Sequence, residues 1–178
     1  MFQQVLDFWF AEIETSMWWR KDHDFDLSIQ SRFGSLHQQA AQAELFSWRN
    51  TARGSLAEVL ILDQFSRNIY RNKPRAFGCD ALALALSQTA IDKNFDMELT
   101  QVERHFLYLP FMHSESALIH KEAVRLYTEL GNAVNLDFEL KHKVIIDRFG
   151  RYPHRNKVLG RESTTDEIEF LQQPGSSF

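Results

Sequence analysis

The chain has 178 residues, of which 44% are hydrophobic, and this length and composition are typical of one domain with a sizeable core. It contains 15 Phe, 4 Trp and 4 Tyr but only 7 Gly and 4 Pro, which favours helices packed through aromatic side chains over a turn-rich β-sandwich. The net charge of -4 gives no global attraction to nucleic acid, so the composition does not favour nucleic-acid binding.

The cysteine content and the apolar segments limit the compartment. Cys79 is the single cysteine, so an internal disulfide and a Cys-pair zinc site are both excluded. The apolar stretch at the start carries Asp7 and Glu12 without a basic leader, and no run of about 18 apolar residues occurs. We therefore expect a cytoplasmic protein without a membrane segment or cofactor, with one domain over residues 1–172 and a flexible tail over residues 173–178.

The first helices are predicted from apolar spacing. A short apolar stripe from Val5 to Ile13 predicts a first helix. A longer stripe at three- and four-residue intervals predicts an amphipathic helix from Asp22 to about Glu44. The alternating segment ALALAL after Asp80 resembles a strand, but its alanines and the preceding aspartate favour a helix.

Capping signals predict further helix boundaries. The capping-box pattern occurs three times, at Ser55–Glu58, Thr100–Glu103 and Thr164–Glu167. Further helices should run from Ser114 or Glu115 to Gly131 and from about Leu136 to Phe149 before Gly150, and Pro110 should separate the helix after Thr100 from the next. The sequence thus predicts an all-α fold of seven or eight helices.

An eleven-residue motif occurs twice. DQFSRNIYRNK (63–73) and DRFGRYPHRNK (147–157) share Asp, Phe, Arg, Arg, Asn and Lys at matching positions, and matching apolar residues precede both. The repeated unit is interpreted as a buried helix followed by a polar, basic loop. Duplicated helical units are typical of an α-α superhelix, in which stacked pairs bury a shared face.

Several strings in this chain resemble those of one bacterial family. They are FWF near the start, Trp18-Trp19, DQFSRNIYR, LPFMHSE and FGRYPHRNKVLGRESTTDEIEFL, and they occur in the order found in the family called domain of unknown function 924. The resemblance spans nearly the whole chain. It implies an all-α fold similar to tetratricopeptide repeats and implies no activity. The chain lacks the regular repeat of about 34 residues that defines an ordinary tetratricopeptide groove.

The two motifs are basic islands in an acidic protein. Guanidinium groups bind phosphate or carboxylate through paired hydrogen bonds, so convergence of the two motifs would form a cleft for a small anionic ligand. In an enzyme built on that cleft, His113 or His154 would move a proton. The predicted ligand-binding residues are Asp63, Gln64, Arg67, Asn68, His113, Glu115, Arg151, His154, Arg155, Asn156 and Arg161.

A structural explanation of the same motifs stays open. Basic side chains just past a helix end complement its dipole and cap its carbonyls, and 24 acidic residues are available as partners. The protein would then be an interaction module for a peptide or a partner protein. His113 and His120 lie seven residues apart, unlike a one-turn metal-binding pair, so no metal site is predicted, and no common catalytic motif is present.

Overall fold

The computed structural model describes residues 1–177, which contain nine helices and no strand. This confirms the all-α prediction. The first helix, α1, runs over Phe2–Asp7 and continues as a π-helical turn, Phe8–Glu12, while α3 (Ala52–Leu60) continues through the π-helical segment Ile61–Phe65 into Ser66–Ile69. The others are α2 (His23–Ala41), α4 (Asp80–Asp92), α5 (Gln101–Met112), α6 (Ala117–Leu130), α7 (Ala133–Phe149), α8 (Asn156–Leu159) and α9 (Thr165–Leu171).

Two of the three predicted capping boxes are present. At α9, Thr164 accepts a hydrogen bond from the Glu167 amide and Glu167 accepts one from the Thr164 amide. Thr100 and Glu103 exchange the same pair of bonds at the start of α5. These bonds satisfy amides that the first helical turn leaves free.

The third box, Ser55–Glu58, is wrong. The cap of α3 lies four residues earlier, because Thr51 accepts a hydrogen bond from the Gly54 amide and the helix begins at Ala52. Glu58 instead receives two hydrogen bonds of 2.7 Å from Arg49. A capping-box pattern inside a helix is thus satisfied by other partners.

The glycine boundaries are confirmed and the proline boundary is wrong. Gly131 and Gly150 follow α6 and α7 with φ of 74° and 68°, the left-handed conformation that glycine adopts without a Cβ penalty. Pro110 lies inside α5, which ends at Met112. The next helix begins at Ala117 after Ser116, slightly later than the predicted start at Ser114 or Glu115. ALALAL is helical.

The chain divides into two compact units, one of residues 1–71 with 75–110 and the other of residues 72–74 with 111 onward. The first unit has a core of aromatic rings around Trp9, which is fully buried and lies 5.5 Å from the Phe65 ring and 5.8 Å from the Phe106 ring. Edge and tilted aromatic pairs of this kind add about 0.5–1.5 kcal/mol each beyond their burial.

The second unit has its own core. Ile145, Ile146 and Tyr152 are buried together, and the rings of Phe149 and Phe170 pack against them. The helices α6 and α7 also pack on one another in this unit. The single domain over residues 1–172 and the flexible tail stay predictions, and Phe178 lies outside the described residues.

The interpretation of the repeat as a buried helix followed by a loop is wrong. In the first copy, Leu60 is fully buried, but the motif that follows stays helical to Ile69. In the second copy the helix does end, but Leu140 and Val144 are 44% and 65% exposed, so α7 is covered on one side only. The two copies therefore have the same residues at the matching positions but different backbone conformations.

Candidate functional site

In the first unit, Arg67 is bonded to two carboxylates. Its guanidinium lies 3.1 Å from Asp63 Oδ1, one turn earlier, and donates to both oxygens of Asp80 at the start of α4, at 3.0 and 3.1 Å. Gln64 donates to the other oxygen of the Asp63 carboxylate at 2.6 Å. Paired hydrogen bonds between guanidinium and carboxylate are among the strongest polar contacts in proteins, so this arrangement connects α3 to α4.

The same motif is also bonded to α2. Asn68 donates to Asp26 Oδ1 at 2.8 Å, and Arg71 donates to both oxygens of Asp26 at 2.5 and 2.7 Å. Burial leaves Asp26 with little access to solvent, so it depends on these partners for compensation of its charge. The edge of the Arg71 guanidinium that could bind an anion through two hydrogen bonds is therefore occupied by the Asp26 carboxylate.

A buried Ser–His contact lies beside this motif, and the sequence analysis missed it. Ser66 Oγ lies 2.7 Å from His37 Nε2 and donates to the Leu62 carbonyl at 2.6 Å. Since its proton is used there, His37 must donate through Nε2, which is the reverse of a base activating a serine. Burial lowers the pKa of His37 and raises the pKa of the nearby Cys79 thiol, so neither side chain is an activated group.

In the second unit, Arg151 is bonded to α9. It donates to both oxygens of Glu167 at 2.7 and 2.8 Å and to the Glu162 carbonyl at 2.8 Å. The hydrogen bonds from Arg151 and from the Thr164 amide lower the pKa of Glu167 to about 2. Glu167 thus serves both as the cap of α9 and as the partner of the motif arginine.

Arg161 and Glu115 form a second ion pair of this unit. Arg161 donates to both oxygens of Glu115, at 2.6 and 2.9 Å, and to Asn156 Oδ1 at 3.0 Å. Burial raises the pKa of Glu115, but hydrogen bonds from Arg161 and from the Tyr152 amide outweigh it and lower the pKa overall. Glu115 therefore ties the start of α6 to the second motif.

Arg155 contacts the segments that carry the two candidate catalytic histidines, His113 and His154. It donates to the His113 carbonyl at 3.0 Å and lies 4.5 Å over the centre of the Tyr152 ring. The His154 ring is 5.5 Å from the same Tyr152 ring. His154 and Arg155 thus lie beside Tyr152, and Arg155 also bonds to the main chain of His113. The catalytic roles of His113 and His154 stay predictions.

A buried polar chain behind Tyr152 was also missed. It consists of Glu139 and His120, both fully buried, with Tyr152 and the buried His142 beside them. A signal was present in the sequence, since His120 shares a three- and four-residue spacing with Ala123, Tyr127 and Leu130, which are all buried. A histidine on an apolar stripe should have been placed inside.

The structure divides the predicted ligand-binding residues between the two units. Asp63, Gln64, Arg67 and Asn68 belong to the first, and His113, Glu115, Arg151, His154, Arg155, Asn156 and Arg161 belong to the second. Within the part of the chain that the structure describes, no three His, Cys, Asp or Glu side chains are arranged to hold a metal ion. None of the helices described over residues 1–177 is both long and apolar enough to cross a membrane.

These contacts define an all-helical protein in which three motif arginines, Arg67, Arg71 and Arg151, are bonded to acidic side chains of the same chain. The model of a family described as bacterial protein of unknown function, DUF924, matches residues 5–175, and the chain belongs to that family. A solved structure of a protein of unknown function from Agrobacterium tumefaciens is similar, with 36% identity, 96% of each chain covered and a TM-score of 0.92. No curated protein matches the chain.

Proposed function

We propose that this protein is a helical interaction module that binds another protein, and that its two motifs hold helices together. One observation carries the structural part of the proposal: three of the motif arginines and one neighbouring arginine bond to carboxylates of the chain. These arginines are Arg67, Arg71, Arg151 and Arg161. A guanidinium that already holds a carboxylate with two hydrogen bonds has its anion-binding edge occupied.

An exposed aromatic surface supports the interaction part of the proposal. The side chain of Trp19 is 59% exposed, and its ring stacks on Phe106 at 5.8 Å with an interplanar angle of 4°. Trp18 meets both rings edge-on, at 6.4 and 4.9 Å. Trp19 is thus held in place by its neighbours while one face stays accessible, as in the tryptophans that dominate protein interfaces.

The fold family adds a second line of support. The family resemblance implies a fold similar to tetratricopeptide repeats, whose helical units bind partner proteins through an exposed face, but this chain lacks their regular repeat of about 34 residues. Binding through a rigid aromatic side chain needs no further ordering of that side chain, which reduces the entropic cost of association.

Binding of a small anionic ligand at the second motif is the competing function. It is favoured by the position of His154 and Arg155 beside Tyr152 and by the hydrogen bond from Arg155 to the His113 carbonyl. In that case Arg151 and Arg161 would exchange their carboxylates for the ligand, and His113 or His154 would transfer a proton if the ligand reacts.

A thermal-shift series separates the two functions. Melting is followed with phosphate, sulfate, nucleotides and acidic metabolites, each compared with chloride at equal ionic strength, because a ligand of the native state raises stability by mass action. We expect no anion-specific rise. A rise that Arg151→Ala abolishes, and that Arg125→Ala retains, would overturn the structural role of the motif. Arg125 is a suitable control because it is an exposed arginine paired with Glu122 and Glu129.

The interaction is tested with a matched pair of aromatic variants. A protein captured from cells by the wild type is identified, purified and titrated against wild type, Trp19→Ala and Phe46→Ala. Phe46 is 69% exposed and lies on the short helix Phe46–Asn50, away from the ring stack of Trp19 in sequence. We expect at least about a 30-fold loss of affinity for Trp19→Ala, as for a hot-spot residue, and little change for Phe46→Ala. Equal affinities of all three proteins would contradict the assignment of this surface.

A further inference from the structure

A chain of hydrogen bonds crosses the interior of the second unit. Glu139 Oε1 lies 2.7 Å from His120 Nδ1, and His120 Nε2 lies 2.9 Å from the Ser114 carbonyl and 3.2 Å from the Tyr152 hydroxyl. The Tyr152 hydroxyl donates to the Met112 carbonyl at 2.5 Å. This series of hydrogen bonds therefore connects α6, α7 and the second motif.

The acceptor atoms determine which atom carries the hydrogen in each of these hydrogen bonds. A carbonyl only accepts, so His120 Nε2 carries a hydrogen that it donates to Ser114. The Tyr152 hydrogen is used at Met112, so the Tyr152 oxygen is an acceptor toward His120. The remaining contact, between His120 Nδ1 and Glu139 Oε1, is short enough to require a hydrogen between the two atoms.

That hydrogen is present whichever atom holds it. It belongs to Nδ1 if the pair is imidazolium and carboxylate, and to Oε1 if the pair is imidazole and carboxylic acid. Both arrangements contain one titratable proton and have no net charge. Without it, a nitrogen lone pair and a carboxylate would face each other in an interior that is closed to solvent, at a high electrostatic cost.

We infer that Glu139 and His120 share one buried proton, and that this proton, retained between pH 5 and 8, stabilises the packing of the second motif against α6 and α7. This inference stands independently of the proposed function. Removing the proton places a net negative charge in the interior, and adding a second one places a positive charge there. The packing of the second motif against α6 and α7 is therefore most stable when the pair holds one proton.

The surroundings of Glu139 favour retention of the proton. Oε2 of its carboxyl group is buried and has no hydrogen-bond partner among the described residues, and burial raises the pKa of Glu139 although the His120 hydrogen bond opposes that effect. Lys143, one turn later on α7, also acts against the rise. An unpaired oxygen costs less on a neutral acid than on a carboxylate, so the structure suits the neutral pair.

The other titratable groups around the pair do not replace it. His142 donates through Nδ1 to the Phe138 carbonyl at 2.7 Å, and burial, together with His113, His120 and His154, lowers the pKa of His142 to about 3. His142 is therefore neutral near pH 7. Arg155, over the face of Tyr152, adds a fixed positive charge nearby that disfavours a second proton.

The variant Glu139→Gln isolates the shared proton. A glutamine amide can donate to His120 Nδ1 and so keeps the hydrogen bond without a titratable hydrogen. The native wild type then binds one proton more than the native variant, while the unfolded chains bind equal numbers above about pH 5, where an unfolded glutamate is ionised.

The sign of the effect follows from this proton count. Stability falls with pH wherever the native state binds more protons than the unfolded state. Above about pH 6.5 an unfolded histidine has lost its proton while the native pair keeps one, so the wild type loses stability as pH rises. In Glu139→Gln the unfolded histidine gains a proton below about pH 6.5, so the variant loses stability as pH falls.

The test compares the folding equilibrium constants of the two proteins between pH 5 and 8 by urea unfolding followed by circular dichroism. We expect the ratio of wild type to Glu139→Gln to fall about tenfold per pH unit. Glu122→Gln serves as the control, since Glu122 is exposed and paired with Arg125, and its ratio should stay constant above pH 6. A constant ratio for Glu139→Gln would overturn the inference.

A second measurement covers the case in which Glu139→Gln does not fold. The ring signals of His120 in the wild type are followed by NMR over the same pH range. We expect them to stay constant from pH 5 to 8, because the native pair neither gains nor loses a proton there. Titration of the His120 ring with a midpoint inside this range would overturn the inference.

Discussion

The two copies of the repeated motif have the same charged residues but different backbones. In the first copy, α3 continues through Asp63 and Arg67 to Ile69. In the second copy, α7 ends at Phe149 and a short helical turn, Pro153–Arg155, follows after an extended residue. Arg67 therefore lies on a helix, whereas the equivalent Arg151 lies on a loop.

Two unmatched positions explain the difference. Ser66 in the first copy is replaced by Gly150 in the second, which has φ of 68° and ends the helix. Ile69 is replaced by Pro153, whose ring fixes φ and which has no amide hydrogen for a continuing helix. The positions that differ determine the backbone conformation of each copy. The shared positions supply side chains that bond to neighbouring elements.

The partners of the shared arginines also differ. Arg67 bonds to Asp63 within its own motif as well as to Asp80, whereas Arg151 bonds to Glu167, and the matching Asp147 is paired with Lys143. The repeated feature is thus a guanidinium held by a carboxylate, and the carboxylate comes from wherever the local fold supplies one.

The largest expected effect is at the acidic partner in the first unit. Asp26→Ala leaves Arg71 and Asn68 without their carboxylate in a partly buried site, so the free energy of unfolding should fall by about 3 kcal/mol in urea titrations. The matched control is Asp147→Ala, which removes only an exposed pair with Lys143 and should cost less than about 0.5 kcal/mol. Equal losses would remove the contrast between the two copies.

A smaller effect is expected at the position that ends the second helix. Gly150→Ala should lower the free energy of unfolding by about 1 kcal/mol, because φ of 68° is strained for alanine, while no atom lies within 4 Å of the added Cβ. Gly34→Ala is the control, since Gly34 lies inside α2 with an ordinary φ and should gain about 0.5–1 kcal/mol. If both changes have the same sign, backbone conformation does not explain the difference between the copies.

The smallest effect at neutral pH is expected for Glu167→Gln, which keeps the helix cap but loses the charge facing Arg151. The melting temperature should fall by about 2 °C at pH 7. The folded pKa of Glu167 is about 2 and the unfolded value about 4.3, so the charge stabilises the protein above pH 4.3 and this contribution is lost as pH falls toward 2. Calorimetry should therefore show the difference shrinking from pH 5 to 2, and a constant difference would argue against the ion pair.

The sequence predicted those features that depend on local interactions. The caps of Thr100 and Thr164 and the glycine ends at Gly131 and Gly150 involve residues within one helical turn, so their patterns are visible in a short window. Ser55–Glu58 failed because a local pattern does not show that Arg49 binds Glu58 and that Thr51 caps the helix first.

The contacts of the candidate site were less predictable because they join distant positions. Arg71 meets Asp26 across 45 residues, and Arg161 meets Glu115 across 46. Charge composition showed that acidic partners were available, but only the packed helices determine which carboxylate faces which arginine. The buried His120 was more accessible to prediction, since it lies on the apolar stripe of its helix.

The central claim, that the motif arginines stabilise the fold, is tested most directly by a double-mutant cycle on Arg151 and Glu167. Arg151→Ala, Glu167→Gln and the double variant are compared with the wild type by urea unfolding. We predict that both single variants are destabilised and that the double variant is hardly less stable than Arg151→Ala alone, because the lost contact is the same one. An Arg151→Ala variant as stable as the wild type, or losses that simply add, would contradict the claim.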